Sequence, residues 1–259
     1  KVFELLSSGK KLKSGDVSGV AMRSKADGTA GSWPGGGFVF SNGGVIIQDG
    51  KCMLDSPEAI EAIHYYGTIL KEAGPLGVGN YHWYECLNDY MQEVCAIGMD
   101  SSNFATDIEN PEKSNAAGHT TYGAMVSGPG KTAKPNMWHW MSGINSKSQN
   151  KAAAFLFLTW ANSKPTCLMS SALGLATTRT SAWESEGFKS AFGAQAATAA
   201  LTNLQNADRK IMKDCWFHPQ SGEILTPFGI AINEVVTGTK SAEKAMTQAT
   251  AKINKAIGA

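Results

Sequence analysis

The chain has 259 residues, 42% of them apolar and 17% charged, with 23 basic against 22 acidic side chains and a formal net charge of +1. That length allows one large domain or two smaller ones, with a real hydrophobic core. The composition excludes a disordered chain, no apolar run is long enough to cross a bilayer, and no basic patch stands out to engage nucleic acid.

Residues 1–13 read as a helix. Its first residues, Lys1 to Leu6, already look internal to that helix, so the natural start is expected upstream; no signal peptide is recognised. Val17 to Met22 is a short strand. Asp27 to Gly44 is dense in glycine, with Trp33, Phe38 and Phe40 interspersed, and reads as a loop that positions side chains. Val45 to Leu54 has the pattern of a hairpin turning at Asp49-Gly50. Ser56-Pro57-Glu58 is a helix start: a capping hydroxyl, a proline at the first helical position and an acid at the positive end of the dipole. Ile60, Ile63, Gly67 and Leu70 share one face of that helix, and Gly74-Pro75 ends it.

A second helix is expected over 83–93 and a buried strand over 94–99, which empties into Asp100-Ser101-Ser102-Asn103. In open α/β sheets ligands collect at such carboxyl ends. Tyr122 to Val126 is read as another strand. Trp138 and Trp140 flank His139 in a segment suited to a wall for a flat, hydroxylated guest; His139 itself is read as a satisfied polar residue. The following helix, Ser148 to Ser163, is apolar nearly all round and is expected to be buried on most sides. Further helices are expected over 165–173, 188–206 and 241–257. Strands alternating with helices imply α/β architecture with a mainly parallel sheet.

Chemistry-bearing motifs are sparse. Gly130-Lys131-Thr132 lacks the glycine a phosphate-binding loop needs at Met125, and the glycines at 128 and 130 open no helix. The five histidines suggest no metal spacing. Five scattered cysteines (Cys52, Cys86, Cys95, Cys167, Cys215) form no C-x-x-C pair, and Cys95 and Cys167 read as small buried residues. No cofactor is called for. Glu85, Asp89, Asp100 and Glu223 could in composition supply the acid pair of a glycoside hydrolase, but nothing links any two of them.

Six segments together resemble a known family. They are Leu54 to Ile63 (LDSPEAIEAI), Ala96 to Ser102 (AIGMDSS), Tyr122 to Gly130 (YGAMVSGPG), Trp140 to Asn145 (WMSGIN) running into Asn150 to Leu158 (NKAAAFLFL), Leu173 to Ser181 (LGLATTRTS), and Asn233 to Ala245 (NEVVTGTKSAEKA). In this order they are similar to the extracellular solute-binding proteins that serve bacterial ABC sugar importers, of which the maltose-binding branch is the best known. The resemblance implies an α/β, periplasmic-binding-protein-like two-lobe fold (type II) that closes over its ligand. It also implies that the first lobe is incomplete in this chain. Residues 1–140 would belong to the second lobe, 141–185 to a helical return into the first, and 186–259 to the helical completion of the second. The implied function is non-enzymatic: a sugar or polyol carrier that docks on the permease subunits of an importer. It binds no nucleic acid and does not insert into the membrane. The implied location is periplasmic or extracellular, secreted with or without a lipid anchor.

A sugar presents apolar C–H faces and a rim of hydroxyls, so its site needs aromatic platforms and directional polar groups. On the family's pattern Trp33 falls in a cleft-lining loop, and Asp100, Ser101 and Asn103 follow a strand that ends at the ligand. Ser101 and Asn103 serve equally as a helix cap for Phe104 onward. Trp138 and Trp140 precede the crossover between lobes, Trp140 being the preferred contact. Arg179 sits at the return crossover, where a guanidinium can grip vicinal hydroxyls or make a hinge ion pair. Glu223 and Ile224 precede a helix that lines the ligand in the maltose-binding relative, although the tryptophan found there is missing here. Trp183 and Trp216 rank lower. A carbohydrate-active enzyme is the alternative reading, and a peptide- or protein-binding scaffold a third.

Overall fold

A computed structural model of the protein describes residues 2–138 and 140–259; His139 lies outside the described residues. In chain order the elements are α1 (Val2–Leu12), β1 (Ser18–Ala21), α2 (Ser32–Ser41), β2 (Ile47–Gln48), β3 (Lys51–Cys52), α3 (Pro57–Ala73), α4 (Trp83–Met91), β4 (Cys95–Gly98) and α5 (Ala105–Ile108). Eight more helices follow: α6 (Lys151–Ala161), α7 (Lys164–Ser171), α8 (Thr180–Trp183), α9 (Glu186–Phe192), α10 (Ala194–Asn206), α11 (Arg209–Trp216), α12 (Ser221–Val236) and α13 (Ala242–Ile257). β1 and β4 pair in parallel, with Ser18 opposite Cys95 and Ala21 opposite Gly98. β2 and β3 form the expected antiparallel hairpin, its turn at Asp49 and Gly50, both at positive φ. Among the described residues no helix is long and apolar enough to cross a membrane.

The main core gathers α2, α3, α12 and α13 behind the β1–β4 pair. α3 begins as the sequence requires: Ser56 accepts from the Ala59 amide, and Ile63, Tyr66, Gly67 and Leu70 are buried. α13 is capped by Ser241 and buries Ala245, Met246, Ala249 and Ile253 on one stripe. A smaller cluster joins Trp183, Phe188 and Phe192, with the two phenylalanine rings stacked at 4.7 Å. Trp183 is thereby a core residue, its indole nitrogen donating to the Thr177 carbonyl at 2.7 Å.

Four expectations are corrected. The glycine-rich run is no loop at 32–41 but the buried helix α2. Each glycine there costs roughly 1 kcal/mol of helix propensity. What offsets it is close packing: a Cβ at Gly35 would overlap the Ile232 side chain, and one at Gly36 would sit 3.0 Å from both Asn136 and Trp216. Phe38, Val39 and Phe40 of the same helix are buried. The strand expected over 122–126 is absent, because the Met125 amide donates to the Asn203 side chain at 2.9 Å and has no strand neighbour. The single helix expected over 188–206 is broken at Gly193, where φ is 88°. The apolar helix expected to be buried, α6, buries none of its residues, and Phe155, Leu156, Phe157 and Trp160 are all exposed.

From 110 to 149, His139 aside, the chain forms no helix or strand, yet it is pinned along its length. The Gly128 amide donates to the Ser41 carbonyl at 3.2 Å, the Lys134 amide to the Ser41 hydroxyl at 2.9 Å, and the Met137 amide to the Met212 sulfur at 3.3 Å. Lys134 also pairs with Asp208 at 3.1 Å. All five cysteines are unpaired and buried.

Candidate functional site

The carboxyl ends of β1 and β4 converge, and both feed polar residues outward. Arg23, two residues beyond β1, donates from Nε to Asp100 Oδ2 at 2.7 Å and from Nη2 to Oδ1; the side chains are 11% and 9% exposed. Such a two-pronged pair fixes both groups in one plane. Asp100 Oδ1 also accepts the Ser101 amide at 2.6 Å. Ser101 caps the short turn over Ser102–Phe104 by accepting the Asn103 amide, so the capping role expected as the alternative is present. Asn103 is exposed beside it.

The segment leaving Arg23 is held from three sides. Tyr66 Oη donates to the Arg23 carbonyl, and burial drives its phenol well above the ordinary range. The Ser24 and Lys25 amides both reach the Tyr81 carbonyl at 2.9 Å. Asn233 of α12 donates to the carbonyls of Ser24 and Gly79 at 2.8 and 2.6 Å. Asp27 then folds the chain into α2 by accepting the Thr29 and Ala30 amides at 2.7 and 2.6 Å. Burial works to raise the Asp27 carboxyl, but the bonds from Ala30 and Thr29 and the nearby His82 bring it below the usual range. His82 caps α4: its Nδ1 accepts the Trp83 amide at 2.8 Å, and its Nε2 lies 3.2 Å from the Thr29 hydroxyl. Burial lowers the imidazole's proton affinity, partly opposed by Asp27.

Trp33 stands in the first turn of α2. Its ring meets Trp138 edge-on at 4.7 Å and Trp216 at 4.7 Å with a 50° tilt. Trp138 in turn meets Trp140 edge-on at 5.7 Å. Exposure rises outward, from buried Trp216 and half-buried Trp33 to 54% for Trp138 and 82% for Trp140. The result is a stepped indole face open to solvent.

The sequence-predicted residues thus fall into two groups and two outliers. Trp33, Trp138 and Trp140 come together, and Asp100, Ser101 and Asn103 come together at the β4 end. Among the described residues no ring contact or hydrogen bond joins the two groups. Arg179 stands apart: Nε and Nη2 both donate to the Asn162 carbonyl, at 2.9 and 2.7 Å, closing the end of α6. Glu223 lies inside the first turn of α12, not ahead of the helix, and is exposed; Ile224 beside it is fully buried. Glu223 is one turn before Thr226, which abuts Gly28 in the loop leading to α2. Of the other carboxylates, Glu85 accepts the His82 amide at 2.8 Å and Asp89 accepts the Tyr81 hydroxyl at 2.7 Å. Each is spent on local structure, and no opposed acid pair is assembled from them.

Sequence reasoning missed Arg23 and Asn136 and ranked Trp216 too low. Arg23 had a readable signal, since it follows an apolar strand just as Asp100 does. Two shallow depressions of about 430 and 420 Å³ lie elsewhere, one between Tyr122 and the first turns of α10, the other around Lys134 and Asp208. Neither contains a sequence-predicted residue.

Comparison with known proteins identifies the family. The model of the bacterial extracellular solute-binding protein family matches residues 3–166. An erythritol/L-threitol-binding protein of Mycolicibacterium smegmatis is 27% identical over 111 residues, which are 43% of this chain and 23% of that protein. A mannitol-binding protein of Pseudomonas aeruginosa is 30% identical over 107 residues, 40% of this chain and 24% of the relative. The crystal structure of an ABC transporter solute-binding protein from Agrobacterium radiobacter K84, in complex with ribitol, superposes with a TM-score of 0.86 at 23% identity. That superposition covers 99% of this chain and 64% of the other, so the chain spans less than two thirds of that relative. With the family model matched over more than half its length, the chain belongs to the bacterial extracellular solute-binding proteins.

Proposed function

We propose that this chain is the larger part of a polyol- or sugar-binding protein that delivers its ligand to an ABC importer from the periplasm or the cell exterior. The observation that carries the reading is the stepped indole face of Trp33, Trp138 and Trp140, which begins in the first turn of α2 and opens to solvent. Indole rings stack on the C–H faces of a polyol, while charged and amide groups nearby take its hydroxyls. Arg23 and Asp100 supply such groups at the strand ends, with Ser101, Asn103 and Glu223 as further polar contacts. The ligands named for the relatives, erythritol or threitol, mannitol and ribitol, support a small polyhydroxylated guest. The protein works by binding and release and performs no chemistry.

The exposed α6 and its neighbours fit a helical return (residues 141–185) into another lobe, with residues 1–140 and 186–259 forming the lobe that carries the indole face. In that arrangement the ligand is enclosed when the lobes close, which accounts for an open face here. Calorimetry of the longer protein, spanning the full length of its solved relatives, tests the reading with erythritol, ribitol, mannitol and maltose. Micromolar or tighter binding of a polyol is expected, and heats indistinguishable from dilution for all four would overturn it.

A further inference from the structure

Asn136 occupies a position that the ligand-binding reading does not use. It lies in the irregular segment between Lys134 and Trp138, and its amide is divided between two of the indole residues. Nδ2 donates to the Trp33 carbonyl, and Oδ1 accepts from the Trp216 indole nitrogen at 2.9 Å. Gly36 of α2 leaves the room for this: a Cβ there would come within 3.0 Å of Asn136 Nδ2 and of the Trp216 ring. Gly37 likewise passes under the Asn136 main chain, where an added Cβ would meet its nitrogen at 3.6 Å. One amide therefore joins the first turn of α2, the end of α11 and the strand-free segment that carries Trp138 and Trp140.

We propose that Asn136 is the positioning residue of the indole face, fixing Trp33 against Trp216 and holding the segment that presents Trp138. Two consequences follow from the geometry. The Trp216 N–H is consumed inside the protein, so that ring contributes packing and offers no donor to a hydroxyl. Trp33 is fixed through its main chain as well as its ring, so its stacking surface is set before a ligand arrives. Pre-set aromatic surfaces raise affinity by removing the cost of ordering them on binding. The part of this claim that concerns ligand affinity rests on the polyol-binding reading; the part that concerns indole geometry does not.

The test uses the 259-residue chain with Asn136→Leu, which keeps the branching at Cγ, adds bulk and removes both hydrogen bonds. Asn203→Leu serves as the control, since it removes a comparable amide bond from the same segment, at Met125, away from the indoles. Near-ultraviolet circular dichroism reads the coupling among indoles, and ribitol titration reads affinity. Asn136→Leu is expected to change the indole bands with the far-ultraviolet spectrum retained, and to weaken ribitol about tenfold, the equivalent of about 1.4 kcal/mol. Asn203→Leu should lower thermal stability without altering the indole bands. If Asn136→Leu does not fold, Asn136→Asp keeps the side-chain shape and an acceptor for the Trp216 nitrogen, removes only the donor to the Trp33 carbonyl, and should change the indole bands in the same sense. Unchanged indole bands in Asn136→Leu, or in Asn136→Asp where that variant is used, overturn the proposal. So do equal changes in Asn136→Leu and Asn203→Leu. Should the 259-residue chain bind no ribitol, affinity is read in the longer protein that tests the polyol reading, and the indole bands of the 259-residue chain alone decide the role of Asn136 in indole geometry.

Discussion

The Arg23 guanidinium and the Asp100 carboxylate lie side by side, Nε 2.7 Å from Oδ2, where two adjacent parallel strands end. Both side chains are nearly shielded from water. Breaking such a pair from one side leaves a shielded charge without its partner and costs about 3–5 kcal/mol. Arg23→Met should therefore lower stability by that amount in urea denaturation. Arg23→Met combined with Asp100→Leu should recover most of the loss. A single mutant as stable as the parent would show that the pair is an incidental surface contact.

His82 gives the protein a defined response to acid. In the folded state burial keeps the imidazole below its ordinary value of about 6.5, and Nδ1 must be unprotonated to accept the Trp83 amide. The unfolded chain then binds more protons than the folded one as pH falls below about 6.5, so stability present above that value declines through the window beneath it. Asp27, also lowered, acts in the same direction further down: its contribution is complete above about 3.9 and is lost as pH falls below that. Urea midpoints should fall from pH 7 to pH 5. In His82→Asn, whose side chain can still cap α4 but does not titrate, that decline should flatten. An unaltered slope in the variant would remove His82 from the account.

Two glycines of α12 should respond oppositely to alanine. A Cβ at Gly229 would run into the Asp27 carbonyl, a main-chain atom that cannot turn aside, whereas one at Gly222 meets nothing within 4 Å. Gly222→Ala should stabilise by about 0.5–1 kcal/mol through helix propensity alone. Gly229→Ala should destabilise by about 1–3 kcal/mol, as overpacking does, and should displace the loop that leads to Trp33. Thermal midpoints of the two variants moving in the same direction would contradict the packing described.

The apolar residues of α6 offer a test of the lobe arrangement. Phe155, Leu156 and Phe157 are exposed, so Leu156→Lys and Phe157→Gln should change the stability of this chain by less than about 0.5 kcal/mol. They should also reduce dye binding to exposed apolar surface. In a longer protein whose other lobe covers α6, the same changes should cost about 2 kcal/mol or more. Equal effects in both proteins would count against the proposed helical return.

Capped and periodic elements were legible in the sequence: α3 through Ser56-Pro57-Glu58, α13 through Ser241 and its stripe, the hairpin through Asp49-Gly50. What escaped is of two kinds. α2 was hidden because Gly35, Gly36 and Gly37 oppose a helix locally, and only their tertiary neighbours Ile232, Trp216 and Asn136 make it favourable. The Met125 strand failed for the complementary reason: its amide partner is a side chain from α10, which no local pattern announces. At the site, the grouping of Trp33 with Trp138 and Trp140 emerged, but the bond of Asn136 to Trp216 spans 80 residues and left no trace in spacing. α6 misled because an apolar helix signals a need for cover without saying where that cover comes from.

The five sealed cysteines have a practical consequence. Burial raises the thiols of Cys52, Cys86 and Cys95, and pushes Cys215 up to about 12, so they form little thiolate at neutral pH. A cysteine installed at exposed Ser142, beside the indole face, would be the preferred target of a maleimide dye without any of the native ones being removed. The same silent background becomes a clock when the chain opens: thiol-reactive reagents would then count molecules as they unfold, with no label attached beforehand.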